Sequence, residues 1–182
     1  MSHPQQMSFV SFVKGTFPSR FKEKKVLEVG SLNINGSVRQ FFDDCQYIGI
    51  DVGPGPGVDI VCPGQEYNAP DGTFDTVISC ECFEHNPFWV ETFQNMLRLC
   101  KDDGLIIMTC ATTGRPEHGT ERTTPKDSPL TIAKGWNYYR NLTKEDFYDT
   151  FNLTALFSEF QFSTNEQSKD LYFWGVKKIS RN

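Results

Sequence analysis

Short apolar runs, bounded by polar or glycine-rich stretches, recur along this chain of 182 residues. Runs of this length that are rich in Val, Ile and Phe predict β-strands. Most of them are apolar without alternation, which is typical of parallel strands covered on both faces of a sheet. The predicted strands span residues 25–29, 47–50, 58–61, 74–79 and 105–110, with a closing pair at 153–162 and 171–178.

Helical spacing of apolar residues fills most of the gaps between these strands. Helices are predicted over 7–14, 36–44 and 88–100. Thr143 begins another, because threonine is a good N-cap and acids follow it in the first turn. Alternating strands and helices, followed by a strand pair, predict an α/β fold. Its sheet is expected to be doubly wound, mainly parallel and seven-stranded, with an antiparallel C-terminal hairpin.

Residues 111–142 interrupt this rhythm. They hold three glycines and three prolines, and their apolar residues follow no period. A loop of this length inside a compact domain is uncommon and often functional. No composition shift marks a domain boundary, so a single domain is predicted over residues 1–182.

Charge and composition exclude several classes of protein. The net charge of −5 argues against a general nucleic-acid binder, which usually has a basic face. No apolar run approaches the ~20 residues that cross a membrane, and the N-terminus lacks a signal pattern. We therefore expect a cytoplasmic protein that does not bind membranes. Its six cysteines include no Cys-x-x-Cys pair, which predicts buried free thiols and no metal site. The oligomeric state stays open.

The most informative motif joins the first two strands. The first strand ends at Gly30, a polar loop runs to Gly36, and the second strand ends at Asp51, 21 residues beyond Gly30. Nucleotide-binding α/β units place an acid on ribose hydroxyls at this spacing. The other interpretation is that Asp51 caps the turn that follows it. The loop lacks the middle glycine of Gly-x-Gly-x-x-Gly, so Asn33 or Asn35 is expected to take the left-handed backbone conformation.

Four segments, in this order, carry a family resemblance. They are Val-Leu-Glu-Val-Gly ending at Gly30, Tyr-Ile-Gly-Ile-Asp ending at Asp51, Phe-Asp-Thr-Val-Ile-Ser over 74–79 with Glu84-His85, and Leu-Arg-Leu-Cys-Lys-Asp-Asp-Gly-Leu over 97–105. From about residue 24 to 111 the chain resembles the class I S-adenosylmethionine-dependent methyltransferases. The resemblance implies the Rossmann-like methyltransferase fold, with S-adenosylmethionine as the cofactor.

The resemblance also implies which residues bind the cofactor. Glu28 and Gly30 would border its methionine end, Asp51 would hold both ribose hydroxyls, and Val52 would pack on adenine. Cys80 and Glu81, just past the fourth strand, would face the sulfonium and the methyl acceptor. The complete predicted cofactor-binding set is Glu28, Gly30, Ser31, Asn33, Gly36, Asp51, Val52, Gln65, Glu66, Cys80 and Glu81.

Two histidines are candidate general bases. His85 follows the fourth strand on the ligand side of the sheet, and His118 lies in the long loop. The alternatives are a structural role for His85 and a solvent-facing position for His118. Methyl transfer can also proceed without a base, because the sulfonium is already activated and alignment supplies much of the acceleration.

We therefore predict an enzyme that transfers a methyl group from S-adenosylmethionine to an anionic or sugar-like small molecule. Residues 111–142 would form an acceptor-side loop or lid, in which Arg115, Arg122 or Arg140 could clamp a carboxylate or phosphate. Two alternatives stay open at this point. One is a dinucleotide-dependent oxidoreductase, which shares the strand, loop and acid; the other is a non-catalytic cofactor-binding module.

Overall fold

The computed structural model describes residues 2–180 and contains one seven-stranded sheet. The strands are β1 (Lys25–Val29), β2 (Gln46–Asp51), β3 (Ile60–Val61), β4 (Phe74–Cys80), β5 (Cys100–Ala111), β6 (Phe157–Asn165) and β7 (Asp170–Lys177). Their order is β3-β2-β1-β4-β5-β7-β6. The first five pair in parallel, and β7 lies antiparallel between β5 and β6. The predicted fold class is confirmed.

Five α-helices accompany the sheet in the described part of the chain: α1 (Pro4–Thr16), α2 (Trp89–Leu99), α3 (Pro129–Ala133), α4 (Lys144–Thr150) and α5 (Leu153–Leu156). The helix predicted after Thr143 is confirmed, and it begins with a capping box. Thr143 N–H donates to the carboxylate of Asp146, whose own N–H donates to Thr143 Oγ1. In residues 2–180, no helix combines the length and apolarity needed to span a bilayer.

Three predicted elements were wrong in detail. The helix expected over 36–44 is a single 3₁₀ turn, Val38–Phe41, and the chain is already extended at Phe42. The strand expected from residue 153 begins at Phe157, because Asn152 caps the short helix α5 by accepting from Ala155 N–H. The strand expected over 105–110 begins earlier, at Cys100, so that residues 101–104 lie within β5 beside a shift in register.

The sheet buries apolar side chains on both faces. One face packs against α2, α4 and α5, with Phe93, Phe147 and Phe173 at the centre. The other face packs against α1, where the Phe9 ring stacks on Tyr172 of β7 with centroids 4.5 Å apart. Helix α1 is thereby held across the sheet close to the carboxyl ends of the parallel strands.

We predict that this docking depends on one face of α1. Phe9 is 8% exposed and Phe12, one turn along the same helix, is 59% exposed. Phe9→Ala should lower the free energy of unfolding by about 3 kcal/mol, because it leaves a cavity beside Tyr172. Phe12→Ala, the matched control, should change it by less than about 0.5 kcal/mol. Urea denaturation measures both, and equal losses in the two variants would contradict the packing.

Candidate functional site

A cleft opens at the carboxyl ends of β1, β2 and β4, where the winding of the sheet reverses. Ligands of open α/β sheets bind at such a switch point. The cleft contains about 650 Å³ of space, part of it open to solvent. Its walls come from the strand ends, the start of α1 and the 127–131 segment. The strand-end residues that line it are Glu28, Gly30, Ser31, Asp51, Cys80, Glu81, Cys82 and His85.

The loop after β1 is shaped by Gly30. Its φ is +79°, and a Cβ at this position would lie 2.7 Å from Cβ and Sγ of Cys82. Only glycine allows both the turn and the close approach. The expectation for the two asparagines was wrong, since neither Asn33 nor Asn35 has a positive φ. Instead, Asn33 Oδ1 accepts from Gly36 N–H at 2.8 Å, which closes the loop through a side chain.

Asp51, at the end of β2, is fixed by two backbone groups. Its Oδ2 accepts from Leu32 N–H at 3.0 Å and its Oδ1 accepts from Val52 N–H at 2.7 Å. Burial raises the pKa of the carboxyl group, while these two hydrogen bonds act to lower it. Each oxygen keeps a further lone pair for a ligand, so the group can accept from two neighbouring hydroxyls.

Glu28 is buried beneath the same loop. Tyr47 Oη donates to its Oε2 at 2.8 Å, and the Arg39 guanidinium stacks 4.5 Å from the centre of the Tyr47 ring. Burial raises the pKa of Glu28 to about 8. A cationic ligand in the cleft would favour the ionised form of this group.

A second set of acids ties α1 to the strand ends. His3 Nε2 lies 3.1 Å from Asp170 Oδ2 and 3.6 Å from Glu81 Oε2. Thr109 Oγ1 donates to the other oxygen of Glu81 at 2.8 Å, and Arg115 pairs with Asp170 at 3.1 Å. Burial alone would lower the pKa of His3, but the two carboxylates raise it from 6.5 to about 9. No sequence pattern singled out His3, because its partners lie far along the chain.

The two candidate bases lie side by side. The His85 and His118 rings are 5.0 Å apart, and the Tyr139 ring packs 5.5 Å from His85 and 5.0 Å from His118. His85 lines the cleft, whereas His118 lies behind it. Burial, then the neighbouring His118, lowers the pKa of His85 to about 3. In this state His85 is a neutral imidazole and a weak base at neutral pH.

One feature of the long segment was not predicted. It contains the short helix α3, and residues 127–131 around its start line the cleft itself. Leu130 covers Gly53, where a Cβ would lie 2.9 Å from Leu130 Cδ2. Gly53 follows Asp51 and Val52 directly, so this segment lies over the Asp51 end of the cleft. A leucine in a segment without apolar periodicity gives no signal in sequence that would have found this contact.

The comparisons with known proteins fit this geometry. The profile of a family described as "Methyltransferase domain" matches residues 5–167. The chain belongs to this methyltransferase family. A comparison with curated proteins finds no significant match.

Solved proteins, two of them named as methyltransferases, share the fold of this family member at low identity. The 1,6-didemethyltoxoflavin-N1-methyltransferase of Burkholderia thailandensis, solved with S-adenosylhomocysteine, is 14% identical with a TM-score of 0.65, covering 96% of this chain and 79% of that one. Phosphoethanolamine N-methyltransferase 2 of Haemonchus contortus, solved with S-adenosyl-L-methionine, is 14% identical with a TM-score of 0.64, covering 94% and 53%. The methyltransferase described here therefore spans about half the length of that enzyme. The YcgJ protein of Bacillus subtilis is 13% identical with a TM-score of 0.62, covering 94% and 98%.

These findings confirm the predicted class, a methyltransferase that uses S-adenosylmethionine. The cleft itself suits this cationic cofactor. Among its lining residues the acids are Glu28, Asp51, Glu81 and Asp127, and no lysine or arginine is present. Ser31 Oγ is buried there without a hydrogen-bond partner among the described residues, which leaves it for a ligand group.

Other predicted contacts of this methyltransferase lie outside the lining of the cleft. Val52 donates its N–H to Asp51 Oδ1, and Asn33 is exposed. Gln65 Oε1 accepts from Thr92 Oγ1 at 3.3 Å, and Glu66 is exposed. The structure thus brings seven predicted cofactor residues to the cleft: Glu28, Gly30, Ser31, Gly36, Asp51, Cys80 and Glu81.

We predict that His3 makes the stability of this methyltransferase depend on pH. Because its folded pKa is raised, its contribution is complete below pH 6.5 and is lost as the pH rises through about 9. His3→Gln should lower the free energy of unfolding by roughly 2 kcal/mol at pH 6 and by much less at pH 10. The other titratable or charged groups near His3 are Glu81, Asp170, Arg115 and Tyr172. All four are present in the wild type and in His3→Gln, so the comparison isolates His3. Urea titrations at the two pH values measure the difference, and a difference independent of pH would argue against the ion pair.

Proposed function

We propose that this methyltransferase transfers the methyl group of S-adenosylmethionine to a small, uncharged acceptor that carries hydroxyl groups, such as a sugar-like molecule. The observation that carries the proposal is the acid-lined cleft at the switch point of the sheet. Bound S-adenosylmethionine supplies a methyl group on a cationic sulfonium, which needs no further activation. The protein then has to bind the cofactor and the acceptor, align them and exclude water.

Each strand end would hold one part of the cofactor. The two oxygens of Asp51 are free to accept from the ribose hydroxyls, since each has a lone pair beyond its backbone bond. Gly30 lets the backbone approach the ligand closely, and Glu28 places a carboxyl group near it. Glu81, held by Thr109 and His3, would border the methyl group and the acceptor.

The charges favour a neutral acceptor over an anionic one. Each arginine that was a candidate clamp already has an acidic partner: Arg115 pairs with Asp170, Arg122 with Glu117 and Arg140 with Asp146. An anion in the cleft would face acids without a basic side chain among the lining residues. A molecule with several hydroxyls could instead donate hydrogen bonds to these acids.

Residues 111–142 would act as a lid as well as an acceptor wall. Leu130 already covers Gly53, and both Ser128 and His85 pack against Gly119. Closure over the cofactor would exclude water from the sulfonium and complete the acceptor pocket.

Removal of the Asp51 carboxylate tests the cofactor site. Asp51→Ala should weaken the binding of S-adenosylhomocysteine at least tenfold, because two hydroxyl bonds to a charged group are lost. Asp71→Ala is the matched control, since that acid is exposed and pairs with Arg98 instead. Isothermal titration calorimetry measures both affinities.

Unchanged affinity in Asp51→Ala would refute the ribose assignment. Titration with NAD in the same buffer tests the dinucleotide alternative, and NAD binding without binding of S-adenosylhomocysteine would overturn the proposal. Turnover of methyl-labelled S-adenosylmethionine with polyols, sugars and their phosphates then tests catalysis. Cofactor binding with no labelled product in any of them would favour the non-catalytic module.

The lid contact gives a kinetic prediction. Leu130→Ala should speed the dissociation of S-adenosylhomocysteine severalfold, because the side chain that covers Gly53 is lost. Lys134→Ala, an exposed residue just after α3, should leave the rate unchanged. Stopped-flow displacement measures the rate, and equal rates in the two variants would rule out the lid role of Leu130.

A further inference from the structure

Behind the cleft, Glu84, His85 and His118 form a compact polar cluster. One ligand atom of each lies within 4.8 Å of the ligand atoms of the other two. Glu84 and His85 come from the 3₁₀ turn that follows β4, and His118 comes from the segment after β5. Two different chain segments therefore present one carboxylate and two imidazoles to the same point.

The buried polar atoms of this cluster make no well-formed hydrogen bonds within the described residues. Glu84 is fully buried and His85 is 3% exposed. Neither oxygen of Glu84 and neither ring nitrogen of His85 has a hydrogen-bond partner in residues 2–180. Buried polar atoms are normally satisfied by hydrogen bonds, and a buried carboxyl group that is neither paired nor bound to a metal becomes protonated instead. Four such atoms at one point indicate a missing partner.

The geometry of His118 points the same way. Its Nδ1 lies 3.0 Å from the carbonyl oxygen of Pro116, which can only accept, so Nδ1 carries the hydrogen. The lone pair is therefore on Nε2. A backbone carbonyl that fixes the tautomer in this manner is the usual support for a histidine that binds a metal. Gly119, with φ of +64°, lets the segment approach His85, since a Cβ there would lie 2.7 Å from its Cε1.

We propose that Glu84, His85 and His118 bind one divalent transition-metal ion, such as Co²⁺, Zn²⁺ or Mn²⁺. Two imidazoles and one carboxylate suit such ions, whereas Mg²⁺ prefers a set of oxygen ligands. Three protein ligands leave coordination positions for small molecules. Because His85 also lines the cleft, the ion would lie at its wall and could hold a hydroxyl oxygen of the acceptor. That last role rests on the proposed function; the binding of metal does not.

A second cluster, formed by His3, Glu81 and Asp170, also has the ligand types for a metal. It is already balanced, because His3 lies against both carboxylates and Arg115 pairs with Asp170. No ion is needed to compensate its charge. It therefore provides the matched control for the first cluster.

Titration of the EDTA-treated, dialysed protein with CoCl₂ tests the proposal through the visible absorption of Co²⁺. We expect saturation at one ion per chain, with Zn²⁺ competing and Mg²⁺ binding much more weakly. His118→Ala and Glu84→Gln should weaken the affinity at least tenfold, and His3→Ala should leave it unchanged. Cysteine ligands would add strong near-ultraviolet bands, which we do not expect.

Thermal melting gives a second readout. Zn²⁺ should raise the melting temperature of the wild type and of His3→Ala, but not that of His118→Ala. His118 lies in a loop, so this variant should fold even if Glu84→Gln does not. The proposal is overturned by a wild type that binds neither Co²⁺ nor Zn²⁺ saturably, by unchanged affinity in His118→Ala, or by an equal loss in His3→Ala. Titration with S-adenosylhomocysteine in parallel separates this outcome from failure of the proposed function.

Discussion

The parallel pairing of β1 with both β2 and β4 is the constraint on which the rest of the site depends. Because the chain winds in opposite directions from β1, the connections diverge and leave a gap above its carboxyl end. The gap stays open only if the loop after β1 turns away from the carboxyl end of the strand directly after Val29. Gly30 makes that turn in direct proximity to Cys82, so backbone conformation and packing at this glycine set the floor of the cleft.

Four acids crowd this edge of the sheet, and the protein accommodates each one differently. Asp51 accepts two backbone N–H groups, and Glu28 accepts a tyrosine hydroxyl. Glu81 accepts a hydrogen bond from the Thr109 hydroxyl. It also faces His3, whose pKa is raised by Glu81 and Asp170 together. Of the four acids, only Glu84 has no hydrogen-bond donor within the described residues. Burial raises the pKa of Glu84, and the nearby charge of Glu81 raises it further. These four acids therefore favour positively charged groups on more than one side of this edge.

The sequence predicted those parts of the fold that depend on local pattern. The buried apolar runs of β1, β2 and β4 were located closely, and Gly30 and Asp51 followed because strand ends converge in a parallel sheet. The short turn at Val38–Phe41 was mistaken for a helix, since apolar spacing over so few residues does not distinguish the two. The ion pair of His3 with Asp170 and the contact of Leu130 with Gly53 join segments far apart in the chain, and no local pattern encodes them.

His118 and Leu130 lie in one continuous segment of the chain, residues 111–142. That segment touches His85 through His118 and Gly119, and it covers Gly53 through Leu130. A molecule that holds the segment down at either contact therefore helps to hold it at the other. Thermodynamic reciprocity then requires that occupation of the Asp51 end of the cleft and order around the two histidines strengthen each other by the same factor.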